Sequence, residues 1–280
     1  EDENLPIFKK YKELLDIVFH YQDNDFLTDI FSENLDYYEK LKRLHACKQE
    51  LIKLKSLCEL PNPFVIEFSG TPRTGKTSVI NNLYDFFKKG GFDVKLISEF
   101  TTSIYYKEKL KDEFENLSLY EKHKRFVEEV YKQLCYAYTG DIVMIDRSIN
   151  DRQIWNYRCF KKGNMTEEEY CELKYKYAMV SKDLIDFLVV TYADEKVSLR
   201  RDYIHSLALE DRRFLNIPNI AEYNSALKDL EELFNSSVHS YLPIDTTNMT
   251  VDSTSIMVAD SVMKVMRKRY IDEFKKKFGS

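Results

Sequence analysis

Phe64-Val65-Ile66-Glu67-Phe68 is a short β-rich run, and Gly70-Thr71-Pro72-Arg73-Thr74-Gly75-Lys76-Thr77 follows it directly. The second stretch fits the pattern GxxxxGK[ST]. Glycines at its fixed positions permit backbone geometries that a side chain would block, so successive N–H groups can turn inward toward a phosphate. The residues from Thr77 to about Lys89 have a helical pattern, so the loop ends at a helix N-terminus with its positive dipole end. Strand, glycine loop and helix in that order are the context in which this motif carries weight. Lys76 is placed to reach the β and γ phosphates of ATP, and the Thr77 hydroxyl to ligate Mg²⁺. Ser78 completes the set of loop residues expected to touch nucleotide.

Working outward, Pro61-Asn62-Pro63 disfavours continued helix and marks the clearest boundary. Before it, residues 5 to about 60 read as helical. Leu14, Leu15, Ile17 and Val18, then Leu41, Leu44, Leu51, Leu54 and Leu57, recur at helical spacing, with a break at Asp23-Asn24-Asp25. This gives a helical segment over 1–62 and a second domain over 63–280. After the loop the pattern alternates. Strands are expected at 93–98, 141–145, 187–191 and 241–245, with helices over 117–138 and 253–270. Strands alternating with helices predict an α/β, three-layer fold with a mostly parallel sheet.

The composition is that of an ordinary globular chain: 280 residues, 44% hydrophobic and 32% charged. A net charge of −5 argues against a broad nucleic-acid-binding face. Five cysteines, an odd number with no CxxC pair, read as reduced thiols of a cytoplasmic protein. No apolar run reaches the roughly 18 residues of a membrane span, and no signal peptide is visible.

In an open parallel sheet, ligands sit beyond the carboxyl ends of the strands. Glu99 follows the second strand, and Asp146-Arg147 follows the third. One carboxylate could take a proton from an attacking hydroxyl, and the other could hold Mg²⁺ directly or through water. Arg147 and Arg152 supply permanently charged planar forks suited to phosphate or carboxylate. Asp151 and Trp155 lie one turn apart on the same helix. The plain alternatives are a loop carboxylate for Glu99 and an ion-paired helix face for the arginines. Tyr105, Tyr106, Tyr157 and Trp155 could line a base-stacking pocket, although packing accounts for most aromatics.

The phosphate loop, Glu99 and the stretch Asp146-Arg147-Ser148-Ile149-Asn150-Asp151-Arg152 together resemble the deoxyribonucleoside kinase and thymidylate kinase group. Deoxyribonucleoside kinases carry Glu-Arg-Ser after the third strand, and thymidylate kinases carry Asp-Arg there. Residues 192–201 resemble the passage into an arginine-bearing lid, with Arg200, Arg201, Arg212 and Arg213 as lid candidates. Ile244-Asp245-Thr246-Thr247 resembles the last strand and the loop bordering the adenine. The resemblance spans roughly 64 to 270.

The resemblance implies an ATP- and Mg²⁺-dependent kinase acting on a small-molecule acceptor. Lys76 and Thr77 would bind phosphate and metal, Glu99 would be the general base, Asp146 would assist the metal, and Arg147 would hold the acceptor. Arg125, on the helix before the third strand, is the counterpart of an acceptor-binding arginine. The family's usual proline after the catalytic glutamate is Phe100 here, and Pro72-Arg73 stand where an extra glycine is common. Two other classes stay open. One is a kinase for a macromolecular acceptor; the other is a regulatory NTPase, although the base-reading motif of GTPases is missing at Thr191-Tyr192-Ala193-Asp194. The N-terminal helices could serve a partner or a homo-oligomer.

Overall fold

The computed structural model describes residues 36–99, 111–202 and 216–278. The early helix positions 5–35, with Asp23-Asn24-Asp25, lie outside them, as do Phe100, Tyr105, Tyr106, Arg212 and Arg213.

Among the described residues five strands make one sheet: β1 (Phe64–Gly70), β2 (Val94–Ile97), β3 (Ile142–Asp146), β4 (Phe187–Tyr192) and β5 (Ser240–Asp245). Their order is β2-β3-β1-β4-β5, and every pairing is parallel. Among the described residues the helices are α1 (Tyr37–Leu57), α2 (Lys76–Lys88), α3 (Lys111–Glu115), α4 (Leu119–Ala137), α5 (Ile149–Lys161), α6 (Glu167–Leu184), α7 (Glu195–Asp202), α8 (Ile217–Asp229), α9 (Glu231–Ser237) and α10 (Val251–Phe278). This is the three-layer α/β architecture expected from the alternating pattern. Helices 149–161, 167–184 and 217–229 add layers whose ends the sequence pattern did not delimit.

The central strands read as apolar runs because both faces are covered. All seven residues of β1 are buried, and so are Ile142 through Ile145 of β3 and Phe187 through Thr191 of β4. Val65, Val143, Ile145, Leu188 and Val190 join Phe126, Val130, Ile154, Leu173 and Phe234 in one core. Local signals set the helix starts. Ser118 caps α4 and Thr166 caps α6, each with a glutamate three residues on that returns the bond, a full capping box. Asn216 caps α8, with Pro218 in its first turn.

The chain divides into two compact units. Among the described residues, one takes 36–61, Phe86–Phe92 and 255–278; the other is drawn from Asn62–Asp85 and Asp93–Thr254. The first buries Leu44, Leu51 and Leu54 of α1 and Val258, Val262, Met266 and Tyr270 of α10. Arg267 donates to Glu50 at 3.1 Å within it. The second holds the whole sheet.

β1 passes into the glycine loop at Gly70, whose φ is +119°. A Cβ there would lie 2.0 Å from the Thr191 carbonyl oxygen on β4. Only glycine allows the first loop residue to leave the sheet while the strands stay paired. Gly70→Ala is therefore expected to lower stability by roughly 2 kcal/mol or more, since strain of this kind costs about 1–3 kcal/mol before the clash is counted. A urea unfolding midpoint equal to that of the parent would contradict this.

Candidate active site

Residues 71–75 bridge β1 and α2, and β4 and α8 tie them down. Thr71 N–H donates to the Thr191 carbonyl at 2.9 Å, and its hydroxyl donates to Asn224 Oδ1 at 2.6 Å. Asn224 in turn donates to the Ala193 carbonyl at 3.0 Å. The Thr74 and Thr191 hydroxyls are 2.6 Å apart. The loop is thus held in shape by protein partners. Arg73, with φ +62°, occupies a left-handed conformation inside it.

Lys76 opens α2 and is buried. Its ammonium donates to the Thr71 carbonyl at 2.6 Å and the Gly70 carbonyl at 3.1 Å. Burial, and next the Arg147 charge, hold its pKa well below the usual lysine value, while Asp151, Asp146 and Glu99 pull it back up. A cation surrounded by acceptors in a dry loop is what an entering polyanion would meet.

A cavity of about 600 Å³ lies over this loop. Pro72 through Ser78 line it, and so do Glu99, Asp146, Arg147, Arg201 and Thr254. The tips of β1, β2 and β3 supply the first four groups, the side of the sheet where parallel α/β folds hold ligands. The Thr77 hydroxyl donates to Asp146 Oδ2 at 2.7 Å. Mg²⁺ keeps several waters and takes only one or two protein carboxylates together with phosphate oxygens. One carboxylate and one hydroxyl already in contact beside a phosphate-type loop fit that demand. Among the described residues no cluster of three or more His, Cys, Asp or Glu exists to hold a metal without such a shared ligand.

Arg147 sits at a tight corner with φ +58°. Its N–H continues the ladder by donating to the Phe68 carbonyl at 2.9 Å. Its guanidinium reaches Asp151 Oδ1 at 3.0 Å and Oδ2 at 3.2 Å. Asp151 also accepts from the Tyr223 hydroxyl at 2.6 Å and from Ser69 at 3.2 Å. Burial alone would raise the Asp151 pKa; Arg147 and the Tyr223 hydrogen bond outweigh it, and the net direction is down.

The other expected site residues divide. Arg201 lines the cavity and donates to the Thr246 carbonyl at 2.6 Å. Arg200 is exposed and outside the cavity wall. Arg152 lies over the Phe126 ring at 3.9 Å and, with Glu99, Phe126, Arg147 and Asp151, lines a small recess beside the main cavity. Arg125 pairs with Glu129 at 3.1 Å and Glu128 at 3.6 Å on its own helix face and lines neither space. Trp155 meets Tyr223 edge-on at 6.2 Å and Arg158 at 4.8 Å, a packing position away from the cavity wall.

Three groups of functional interest were not singled out by sequence. Tyr223, 72 positions beyond Asp151, is one. Near Arg152 lies a second, the buried His123 and Asn156: His123 Nδ1 and both polar side-chain atoms of Asn156 make no hydrogen bond among the described residues. Burial, and then Arg152, push the His123 pKa down to about 3, so its ring is neutral. The third is Glu67, whose one visible signal is a charged residue inside an apolar strand run.

Glu67 is fully buried. Burial, helped by the nearby Asp151 charge, drives its pKa up to about 7 against hydrogen bonds from the Asn150 side chain and the Asp151 and Asn150 N–H groups, which favour the anion. A raised carboxyl pKa means the folded state binds the proton more tightly. The stabilisation is full below the unfolded value near 4.5 and is lost as pH rises through about 7. The parent is expected to lose on the order of 3 kcal/mol relative to Glu67→Gln between pH 4.5 and 7. Parallel stability–pH curves would contradict this.

No family model matches the chain, and no curated protein matches its sequence. Among solved structures it is similar to a deoxyadenosine kinase from M. mycoides with bound dATP. The two chains share a fold, a parallel sheet flanked by helices. The TM-score is 0.50 at 14% identity, over 70% of this chain and 98% of that one. At that identity the likeness is one of architecture, and the chemistry has to be argued from this chain's own residues.

Proposed function

We propose that this protein is an ATP- and Mg²⁺-dependent phosphotransferase that moves the γ-phosphoryl group to a hydroxyl or phosphate of a small molecule, in the manner of nucleoside and nucleotide kinases. The observation that carries the reading is the Thr77–Asp146 contact of 2.7 Å beside Lys76, with Glu99 and Arg147 on the same cavity wall. Phosphoryl transfer asks for positioning and charge neutralisation more than for covalent chemistry, and this set supplies both.

The loop N–H groups and Lys76 hold the β and γ phosphates. Thr77 and Asp146 hold the metal, which when bound neutralises phosphate charge. Arg201, fixed by Thr246, faces the nucleotide from the other side of the cavity. Glu99 takes the proton from the acceptor hydroxyl as its oxygen attacks the γ-phosphorus. The bond from that phosphorus to the β–γ bridging oxygen breaks, and ADP leaves with the electron pair. Arg147, on the cavity wall with Glu99, holds the acceptor, and Arg152 adds positive charge just behind it. The neighbouring fold, solved with dATP, is consistent with a nucleotide in the cavity.

The test is ADP release from MgATP against a panel of nucleosides, nucleoside monophosphates and other small phosphorylated metabolites. At least one is expected to raise turnover tenfold or more over water alone. Absence of stimulation by every member would remove the small-acceptor reading. Stimulation by oligonucleotide ends, lost steeply with added salt, would point to a macromolecular acceptor instead.

A further inference from the structure

We infer that Glu67 is a positioning residue: its carboxylate, planted in the middle of β1, fixes the first turn of α5 and with it the Asp146-Arg147 corner that faces the phosphate loop. The role in catalysis rests on the phosphotransferase reading; the role in holding the corner does not.

The geometry is specific. Glu67 Oε1 accepts from the backbone N–H groups of Ser148 at 3.1 Å, Asn150 at 2.8 Å and Asp151 at 3.3 Å. Its Oε2 accepts from the Asn150 side chain at 2.9 Å. Those N–H groups are ones a helix start leaves without intrahelical partners. Ordinarily the residue before the helix satisfies one of them with its own side chain. Here that residue is Ser148, which makes no capping bond, and its hydroxyl makes no hydrogen bond among the described residues. A carboxylate from a strand about eighty positions earlier does the work instead.

The consequence falls on Arg147. Its N–H is held by the Phe68 carbonyl, and the next N–H, of Ser148, by the Glu67 side chain. Two adjacent residues of β1 thus grip two adjacent amides of the corner and pin Arg147 at φ +58°, a conformation a non-glycine residue takes only when its surroundings impose it. Asp151, which orients the Arg147 guanidinium, has its own N–H on the same carboxylate oxygen. Asn150 extends the hold by bonding Ser181 of α6 at 2.9 Å and Gln153 at 3.1 Å. Glu67 itself lines neither the cavity nor the recess, so its influence passes through the backbone N–H groups it holds at the corner.

Length and charge separate this role from a purely electrostatic one. Glu67→Gln keeps the reach of the side chain and an acceptor oxygen for the three backbone amides, and gives up only the bond from the Asn150 side chain. Glu67→Asp keeps the charge but is one methylene too short. ADP release from MgATP, run with the panel above and with water alone, should leave kcat of the Gln variant within about threefold of the parent. The Asp variant should lose about 30- to 100-fold in kcat, with KM for MgATP within threefold, because the phosphate loop itself is undisturbed. An Asp variant as active as the parent, a Gln variant as impaired as the Asp one, or a loss in the Asp variant that lies in KM for MgATP would overturn the inference.

Amide hydrogen exchange at Ser148, Asn150 and Asp151 reads the corner without turnover. Protection should fall there in the Asp variant and persist in the Gln variant. Unchanged protection in the Asp variant, or loss spread over the whole sheet, would overturn the positional claim. A parent inert toward every acceptor but showing the expected exchange pattern would instead count against the phosphotransferase reading alone.

Discussion

Lys76→Ala is expected to lower kcat/KM for MgATP about 10³-fold, a loss of roughly 4 kcal/mol of transition-state stabilisation. The ammonium is buried and, among the described residues, donates to loop oxygens, those of Gly70, Thr71 and Thr74. It is thus held where phosphate oxygens would replace carbonyls as its partners. Alanine removes that charge, and the Thr71 carbonyl still accepts from Thr74 at 3.0 Å. The fold should therefore survive, with a thermal midpoint within a few degrees of the parent. Calorimetric titration with MgATP separates the two effects. Binding as tight as the parent's would remove the phosphate loop from the account.

Asp151→Ala should produce the largest stability effect, a loss of about 3–5 kcal/mol in urea unfolding. That is the range for breaking a buried ion pair and leaving one charge behind. Three donors from three elements converge on this carboxylate: Arg147, Tyr223 and Ser69. Without it the half-buried Arg147 guanidinium has no equivalent partner and the corner loses its orienting group. Asp151→Asn, which keeps the shape and an acceptor for Tyr223, should fall between parent and alanine. The folded pKa of Asp151 is depressed, so its contribution is present above the unfolded carboxyl value and is lost as pH falls through the folded one. The gap between parent and Asp151→Ala should therefore be widest near neutral pH and shrink in acid. Glu67 runs the other way, although both carboxylates lie on the same corner, because Asp151 has a guanidinium against it and Glu67 has only amide dipoles.

The parts of this arrangement that were legible in the chain are those written locally. Phe64 through Phe68 and Ile142 through Ile145 are apolar runs, because each strand is buried on both faces. The glycine loop carries its own backbone requirement in Gly70 and Gly75. Glu99 and Asp146 could be placed at the cavity because a parallel sheet opens its cleft just past the strand ends. Groups whose meaning depends on a distant partner were not legible. Glu67 looks like an interruption in β1 until the α5 N-terminus, about eighty residues later, is folded against it. Tyr223 is one of twenty tyrosines, and only the tertiary fold brings it to Asp151. Arg125 illustrates the converse: helical spacing alone pairs it with Glu129, and no sequence pattern said which way it would turn. Trp155 likewise satisfies an aromatic packing need beside Tyr223 rather than the cavity wall.

A crystal structure of the protein with Mg²⁺ and a non-hydrolysable ATP analogue bears most directly on the central idea. The β and γ phosphates should accept hydrogen bonds from the backbone N–H groups between Thr74 and Thr77 and from Lys76. The metal should lie against the Thr77 hydroxyl and the Asp146 side, with Glu99 facing the γ-phosphate across open space. Phosphates bound elsewhere, or a metal held without Thr77 and Asp146, would contradict it.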